Sequence, residues 1–310
     1  MSTETKKIQK TINAIKKDRP EYEEMLNLFG ELIIKQSEFM DKAKVKPPAI
    51  TKAEAQSKLK DGKPLMAKED FQIDMDNASS LFRELCNIFS IRGDQEVNDE
   101  IAKISYALEE ADLKLEEVFR SLISDPDQVS EIAKLLSLDG DVLLILAMYS
   151  IRPSLTANVS SVKDMIEGAV WTQTFCPVCG SRPAIAELRQ LESSGAVEGA
   201  TTEGAERILY CSFCRNEWRV ERLKCVFCGN TDSESLGYFF TEEEGGYRID
   251  TCEKCKKYIK TIDSRNISHE IVPAIDDFST LHLDLIAQDE GYEREAWLMS
   301  FGIQPEEKEG

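Results

Sequence analysis

Eight of the nine cysteines form four Cys-x-x-Cys pairs in one stretch: Cys176/Cys179, Cys211/Cys214, Cys225/Cys228 and Cys252/Cys255. Each such turn aims two sulfurs at one point, and two turns supply the tetrahedral thiolate set that Zn²⁺ favours. Rubredoxin-type iron takes the same four sulfurs, so the donor set admits either metal. The chain is therefore expected to hold two metal ions, Fe or Zn, each on four cysteines. Gly180 and Gly229 directly follow the second sulfur of their pairs, where a tight turn with positive φ suits glycine. The order knuckle, hairpin, knuckle, short strand occurs twice. That repeat favours pairing the first knuckle with the second and the third with the fourth, over an interleaved arrangement. Eight sulfurs on two metals leave no ligand position open for water, so hydrolytic chemistry is not expected there.

Disulfides and thioredoxin-like redox chemistry are the competing uses of these thiols. Met1 to Lys17 is polar and basic, without the apolar run of a signal peptide. Cysteines kept in a reducing compartment bind metal or do redox work more often than they form disulfides. No βαβ pattern surrounds any pair, which argues against thioredoxin-like chemistry. His269 and His282 have no Cys or His partner at ligand spacing and read as ordinary strand-end and helix residues. Cys86 lies in an apolar helical stripe and reads as a small core hydrophobe.

The elements that must position these sulfurs divide the chain. A length of 310 residues suggests about two domains. Pro20 sits where a first helical turn tolerates it, and Leu26, Phe29, Ile33, Phe39 and Met40 form a helical stripe. Before it, Met1 to Lys17 is expected to fray or form one surface helix. Thr51-Lys-Ala-Glu54 looks like a capping box for a short helix closed by Asp61-Gly62. Further helices are expected over Asp70 to Ile91, Asp94 to Ser121, Asp127 to Ser137 and Gly140 to Ile151. After a break at Arg152-Pro153, another should run to about Trp171. In the metal-containing part, strands are expected at Trp218 to Leu223, Leu236 to Phe240, Tyr247 to Thr251 and Tyr258 to Ile262. Glu242 to Gly246 reads as a hairpin turn and Ser193 to Gly204 as an exposed loop. Asp276 to Gln288 reads as one helix. The expected class is α+β and multidomain: an all-helical bundle with its own core, two tandem rubredoxin-like or zinc-ribbon modules of four cysteines each, and a C-terminal helix. The boundaries are 1–170, 171–224, 225–275, 276–302, and an acidic tail at 303–310.

Net charge is −19, which disfavours nucleic acid and anionic membrane surfaces as partners unless positive charge is localised. From Trp171 to Arg265 there are 13 Lys and Arg against 15 Asp and Glu. Arg215, Arg219, Arg222 and Lys224 are interleaved with Glu217 and Glu221, a mixed surface without an electrostatic footprint. A nucleic-acid-binding zinc ribbon is thus disfavoured. No apolar run reaches the ~20 residues of a membrane span, and Val142 to Met148 reads as core helix, so no membrane insertion is expected.

Taken together, the motif words resemble the formate dehydrogenase accessory proteins of the FdhE type. They are Cys176 to Pro183, Cys211 to Trp218 with Arg222 before Cys225, Cys252 to Lys260, Asp276 to Asp284 and Glu290 to Arg294. The likeness covers roughly residues 170 to 295; Met25 to Gln36 and Gly62 to Leu65 add a thinner N-terminal match. Asn216 stands where that family usually has Thr, the loop at Ser193 to Gly204 is long for it, and the Asn-Pro expected after Arg294 is missing. The resemblance implies a cytoplasmic maturation factor rather than an enzyme. It would bind the formate dehydrogenase catalytic subunit, which carries a molybdenum or tungsten pterin, before export or assembly. The eight cysteines carry over as metal ligands, with rubredoxin-like iron a family association. Glu217, Trp218, Arg222, Tyr292 and Arg294 match family words that could serve fold or partner contact. A rubredoxin-like electron-transfer protein with two Fe centres is the alternative reading.

Overall fold

The computed structural model describes residues 2–190, 204–241 and 245–295. Eight helices precede the first strand: α1 (Thr3–Asp18), α2 (Glu23–Met40), α3 (Lys52–Lys60), α4 (Met75–Arg92), α5 (Gln95–Glu109), α6 (Leu115–Ser124), α7 (Asp127–Leu135) and α8 (Gly140–Ile166). Their starts follow capping chemistry. Thr51 and Glu54 close the expected capping box on α3, Asp94 accepts from the Val97 amide at α5, and Asp139 accepts from Asp141 and Val142 at α8.

Three helical expectations are corrected. The N-terminal segment does not fray on the surface; Ile8, Ile12 and Ile15 of α1 are buried, one face turned to α2. Their spacing is an i, i+4, i+7 stripe that the surrounding lysines obscure. Pro20 does stand in a first helical turn as expected, the 3₁₀ turn Pro20–Tyr22 that leads into α2. Asp94 to Ser121 is two helices, because the chain turns through Ala111 at φ 62° before Leu113 is buried. Finally, Arg152-Pro153 does not break the chain, and α8 continues for 27 residues with Pro153 inside. A helical proline has no N–H for the carbonyl four residues earlier. Here that carbonyl, on Tyr149, instead accepts from Gln36 Nε2 of α2 at 2.7 Å.

Helix α8 is long and apolar enough to cross a membrane by length and composition, but most of its apolar window is buried inside the protein. It is the central helix, packed against α2, α4, α6 and α7.

The strands form one sheet rather than two separate ribbons. They are β1 (Pro183–Gln190), β2 (Ala205–Cys211), β3 (Glu217–Val220), β4 (Leu236–Phe239), β5 (Tyr247–Cys252) and β6 (Lys257–Asp263), in the order β3-β2-β1-β6-β5-β4. Each half is an antiparallel meander; a short parallel pairing, Ala186 opposite Thr261 through Leu188 opposite Asp263, joins them. Alternation divides the faces. Ala184, Ala186, Leu209 and Ile259 join the same buried cluster as the helices, from Ile8 to Phe278. The cluster read as the helical segment's own core therefore continues into the sheet. Ile185, Ile249, Tyr258 and Ile262 face the other way, beneath Leu283 and Ala287.

The segment read as one helix at Asp276 to Gln288 is two, α9 (Pro273–Phe278) and α10 (Leu281–Asp289). Four buried charges hold them to the sheet. Lys260 Nζ of β6 lies 2.7 Å from Asp277 and 2.6 Å from Asp284, and Arg294 reaches the same carboxylates at 2.7 and 3.0 Å. The expected tail at 303–310, the end of the segment 276–302, most of the loop at Ser193 to Gly204 and residues 242–244 of the hairpin turn lie outside the described residues.

Candidate metal centres

The four knuckles repeat one local design. In each, the residue after the second cysteine takes positive φ: Gly180 at 75°, Arg215 at 62°, Gly229 at 74° and Lys256 at 54°. The backbone folds back on itself through Gly180 N–H to Cys176 O (2.9 Å), Gly229 N–H to Cys225 O (3.0 Å) and Lys256 N–H to Cys252 O (2.8 Å). Glycine makes this cheap twice. At Arg215 and Lys256 an L side chain accepts a conformation that costs about 1–2 kcal/mol, so glycine marks only half of the turns. Amides inside the turns point at sulfur: Val178 to Cys176 Sγ, Cys214 to Cys211 Sγ and Phe227 to Cys225 Sγ, each at 3.4 Å.

The structure gathers the eight sulfurs into two sets, Cys176, Cys179, Cys211 and Cys214, and Cys225, Cys228, Cys252 and Cys255; within each, all ligand atoms lie within 4.8 Å of one another. This is the sequential grouping. Measured separations are 3.7 Å (Cys176–Cys214), 3.4 Å (Cys179–Cys211), 3.7 Å (Cys225–Cys255) and 3.8 Å (Cys228–Cys252). A metal–sulfur bond of about 2.3 Å sets the edge of a regular tetrahedron near 3.8 Å. A disulfide would need about 2.05 Å. The donor sets thus fit a tetrahedral thiophilic ion and could hold two metal ions. Burial pushes the Cys176 and Cys214 thiols well above the ordinary range. Four crowded, buried thiols cannot all ionise alone; a divalent cation supplies the charge that lets them.

The two clusters differ in setting. All four cysteines of the first are buried, whereas in the second Cys228 is exposed and Cys255 half-buried. The helical region clamps the first: the Leu65 and Met66 amides donate to Pro177 O and Val178 O, both at 2.9 Å. Phe71 meets Phe213 edge-on at 5.4 Å. At the second cluster, Arg207 of β2 donates to Lys224 O at 3.0 Å, just before Cys225, and pairs with Asp250 at 2.9 Å.

The other residues singled out in sequence lie apart from both sulfur sets. His269 Nε2 lies 2.9 Å from Asp276, and His282 Nδ1 lies 2.5 Å from the Tyr22 hydroxyl. Cys86 is buried in α4. Among the residues of the motif words, Arg294 belongs to the buried charge cluster and Trp218 is buried on β3. Glu217 pairs with Arg189 at 3.1 Å, and the Tyr292 hydroxyl donates to Glu253. Sequence reading missed Arg152, Arg207, Lys260 and Asp277 as structural charges. Only the pattern of charge within otherwise apolar segments could have flagged them.

Comparison with known proteins agrees with this geometry. Residues 223–299 match the family model described as FdhE, C-terminal domain. A protein FdhE homolog of Aquifex aeolicus is 28% identical over 91% of this chain and 89% of its own length. One from Proteus mirabilis is 31% identical over 64% of this chain and 60% of its own. The protein FdhE of Escherichia coli K12 is 34% identical over 39% of this chain, a match spanning 35% of that protein. The crystal structure of the FdhE protein from Pseudomonas aeruginosa has the same fold, with a TM-score of 0.66, 20% identity, and coverage of 96% of this chain and 97% of that one. With the C-terminal family model matched over residues 223–299 and a relative aligned over nearly its whole length, this chain is similar to the FdhE-type proteins in sequence and fold.

Proposed function

We propose that the protein is a non-enzymatic, cytoplasmic maturation factor that binds a formate dehydrogenase catalytic subunit during its assembly, before export. Cys176, Cys179, Cys211 and Cys214 would hold one metal ion, and Cys225, Cys228, Cys252 and Cys255 a second, either Fe or Zn. The observation that carries the reading is the pair of closed tetrathiolate clusters on a single sheet. Such sites fix short loops rigidly and offer a substrate no free position on the metal. A net charge of −19 makes protein a more natural partner than nucleic acid. A factor of this kind must favour the immature subunit, since equal affinity for both states shifts no equilibrium. Co-purification should therefore recover cofactor-free catalytic subunit in preference to the mature form, and cells lacking the protein should lose formate dehydrogenase activity. Normal activity without it, together with no binding to either form, would overturn the proposal.

The exposure of Cys228 and Cys255 favours one other reading, rubredoxin-like electron transfer through the second cluster. Anaerobically purified protein separates that reading from a zinc-bound scaffold. A ferric tetrathiolate absorbs in the visible and bleaches reversibly on one-electron reduction, whereas Zn²⁺ is colourless and redox-inert.

A further inference from the structure

Four cationic side chains are buried among the described residues: Arg152, Arg207, Lys260 and Arg294. Three have carboxylate partners. Arg207 pairs with Asp250, and Lys260 and Arg294 share Asp277 and Asp284. Arg152, 1% exposed, has none. Its Nη1 donates to the carbonyls of Ser212 and Phe213, the two residues between Cys211 and Cys214, and its Nε has no partner. Burial opposes its charge most strongly and Arg215 adds to that, while Cys211 and Cys214 favour it. A buried guanidinium without a counter-charge is one of the costliest features a core can contain. Four thiolates around a divalent ion carry a net double negative charge, next to this cation.

We propose that Arg152, projecting from the central helix α8, is the counter-cation of the first tetrathiolate metal centre and couples that helix to the metal. This rests on the metal reading above and goes beyond it. The guanidinium holds the Ser212–Phe213 turn by hydrogen bonds and offsets the charge of the metal–thiolate centre behind it. At the second centre the nearby buried cation, Arg207, differs in having a carboxylate partner, Asp250, which it shares with Arg248. The two sites should therefore differ in charge dependence as well as in exposure.

The test compares zinc-loaded wild-type protein with Arg152→Met, Arg152→Gln and Arg152→Lys. Zinc release to a chromophoric chelator should have two phases, the slower from the buried first site. Met and Gln should accelerate the slower phase on the order of tenfold or more, leaving the faster phase unchanged, and Lys should restore much of the wild-type rate. In the iron-loaded protein, reduction adds a negative charge to the centre. The neutral variants should therefore lower the potential of one centre only, by about 59 mV for each tenfold change in preference. Equal release from Lys and Gln, with the potential unmoved, would mean that Arg152 serves only as a hydrogen-bond donor and would overturn the proposal. Should Met fail to fold, the Lys–Gln comparison decides. Wild-type protein holding no metal at the first site would overturn the metal reading as well. Two metals per chain with indifferent variants would overturn only the role of Arg152.

Discussion

Cys86 and Cys214 carry the same side chain into buried surroundings and meet different chemistry. Cys86 is the lone cysteine of α4, and burial pushes its thiol up to about 12 from an ordinary 9.0. Cys214 is pushed up too, but it has three sulfurs beside it, and a shared cation would reverse that shift. The sign of the Cys86 effect follows from linkage. Below pH 9 both folded and unfolded chains keep the proton, and the native state has its full advantage. Between about 9 and 12 only the unfolded chain ionises, so this contribution falls by up to about 1.4 kcal/mol per pH unit. Cys86→Ala should be less sensitive to alkali. Denaturant unfolding at pH 8 and pH 10 should show wild type losing about 1 kcal/mol more than the variant. Equal losses would show that the Cys86 thiol ionises freely in the native protein.

At the scale of elements, α8 depends on a partner far away in sequence. The Tyr149 carbonyl, left without its helical donor by Pro153, is satisfied by Gln36, 113 residues earlier and 2% exposed. Gln36→Leu should leave that carbonyl buried and unpaired, costing about 1–3 kcal/mol. A loss under about 0.5 kcal/mol in urea unfolding would show that the helix does not need this bond. The same contact explains what was legible beforehand. Cysteine pairs state their chemistry within four residues, and a capping box such as Thr51 to Glu54 is equally local, so both could be read from the chain. The Pro153 break was misread because its remedy lies on another helix. Arg152, Lys260 and Asp277 were missed for the same reason, their partners being 17 to 61 residues distant. The joining of two meanders into one sheet rests on the three residue pairs between β1 and β6, and short parallel pairings leave no mark on local periodicity.

At the scale of the whole molecule, one buried cluster runs through the helices and one face of the sheet, taking in Cys176, Cys211 and Cys252. A structural zinc contributes on the order of 10–16 kcal/mol of apparent binding energy in small peptides, comparable to the entire net stability of many domains. Removing the metals should therefore release the knuckles first. The helices bordering the first cluster should loosen with them, because Leu65 and Met66 donate to its carbonyls and Arg152 to the turn between two of its sulfurs. Helices α5 and α7, away from that border, should keep their structure. Native-state hydrogen exchange with and without chelator tests this residue by residue. Protection should fall at Leu65, Met66 and Val178, and persist at Ile104 and Ala133, both fully buried in the helical region. Protection unchanged at Leu65 and Met66 after complete demetallation would mean that the knuckles stay docked without metal. Loss at Ile104 and Ala133 as well would mean that the chain unfolds as one cooperative unit, with the metals as its keystone.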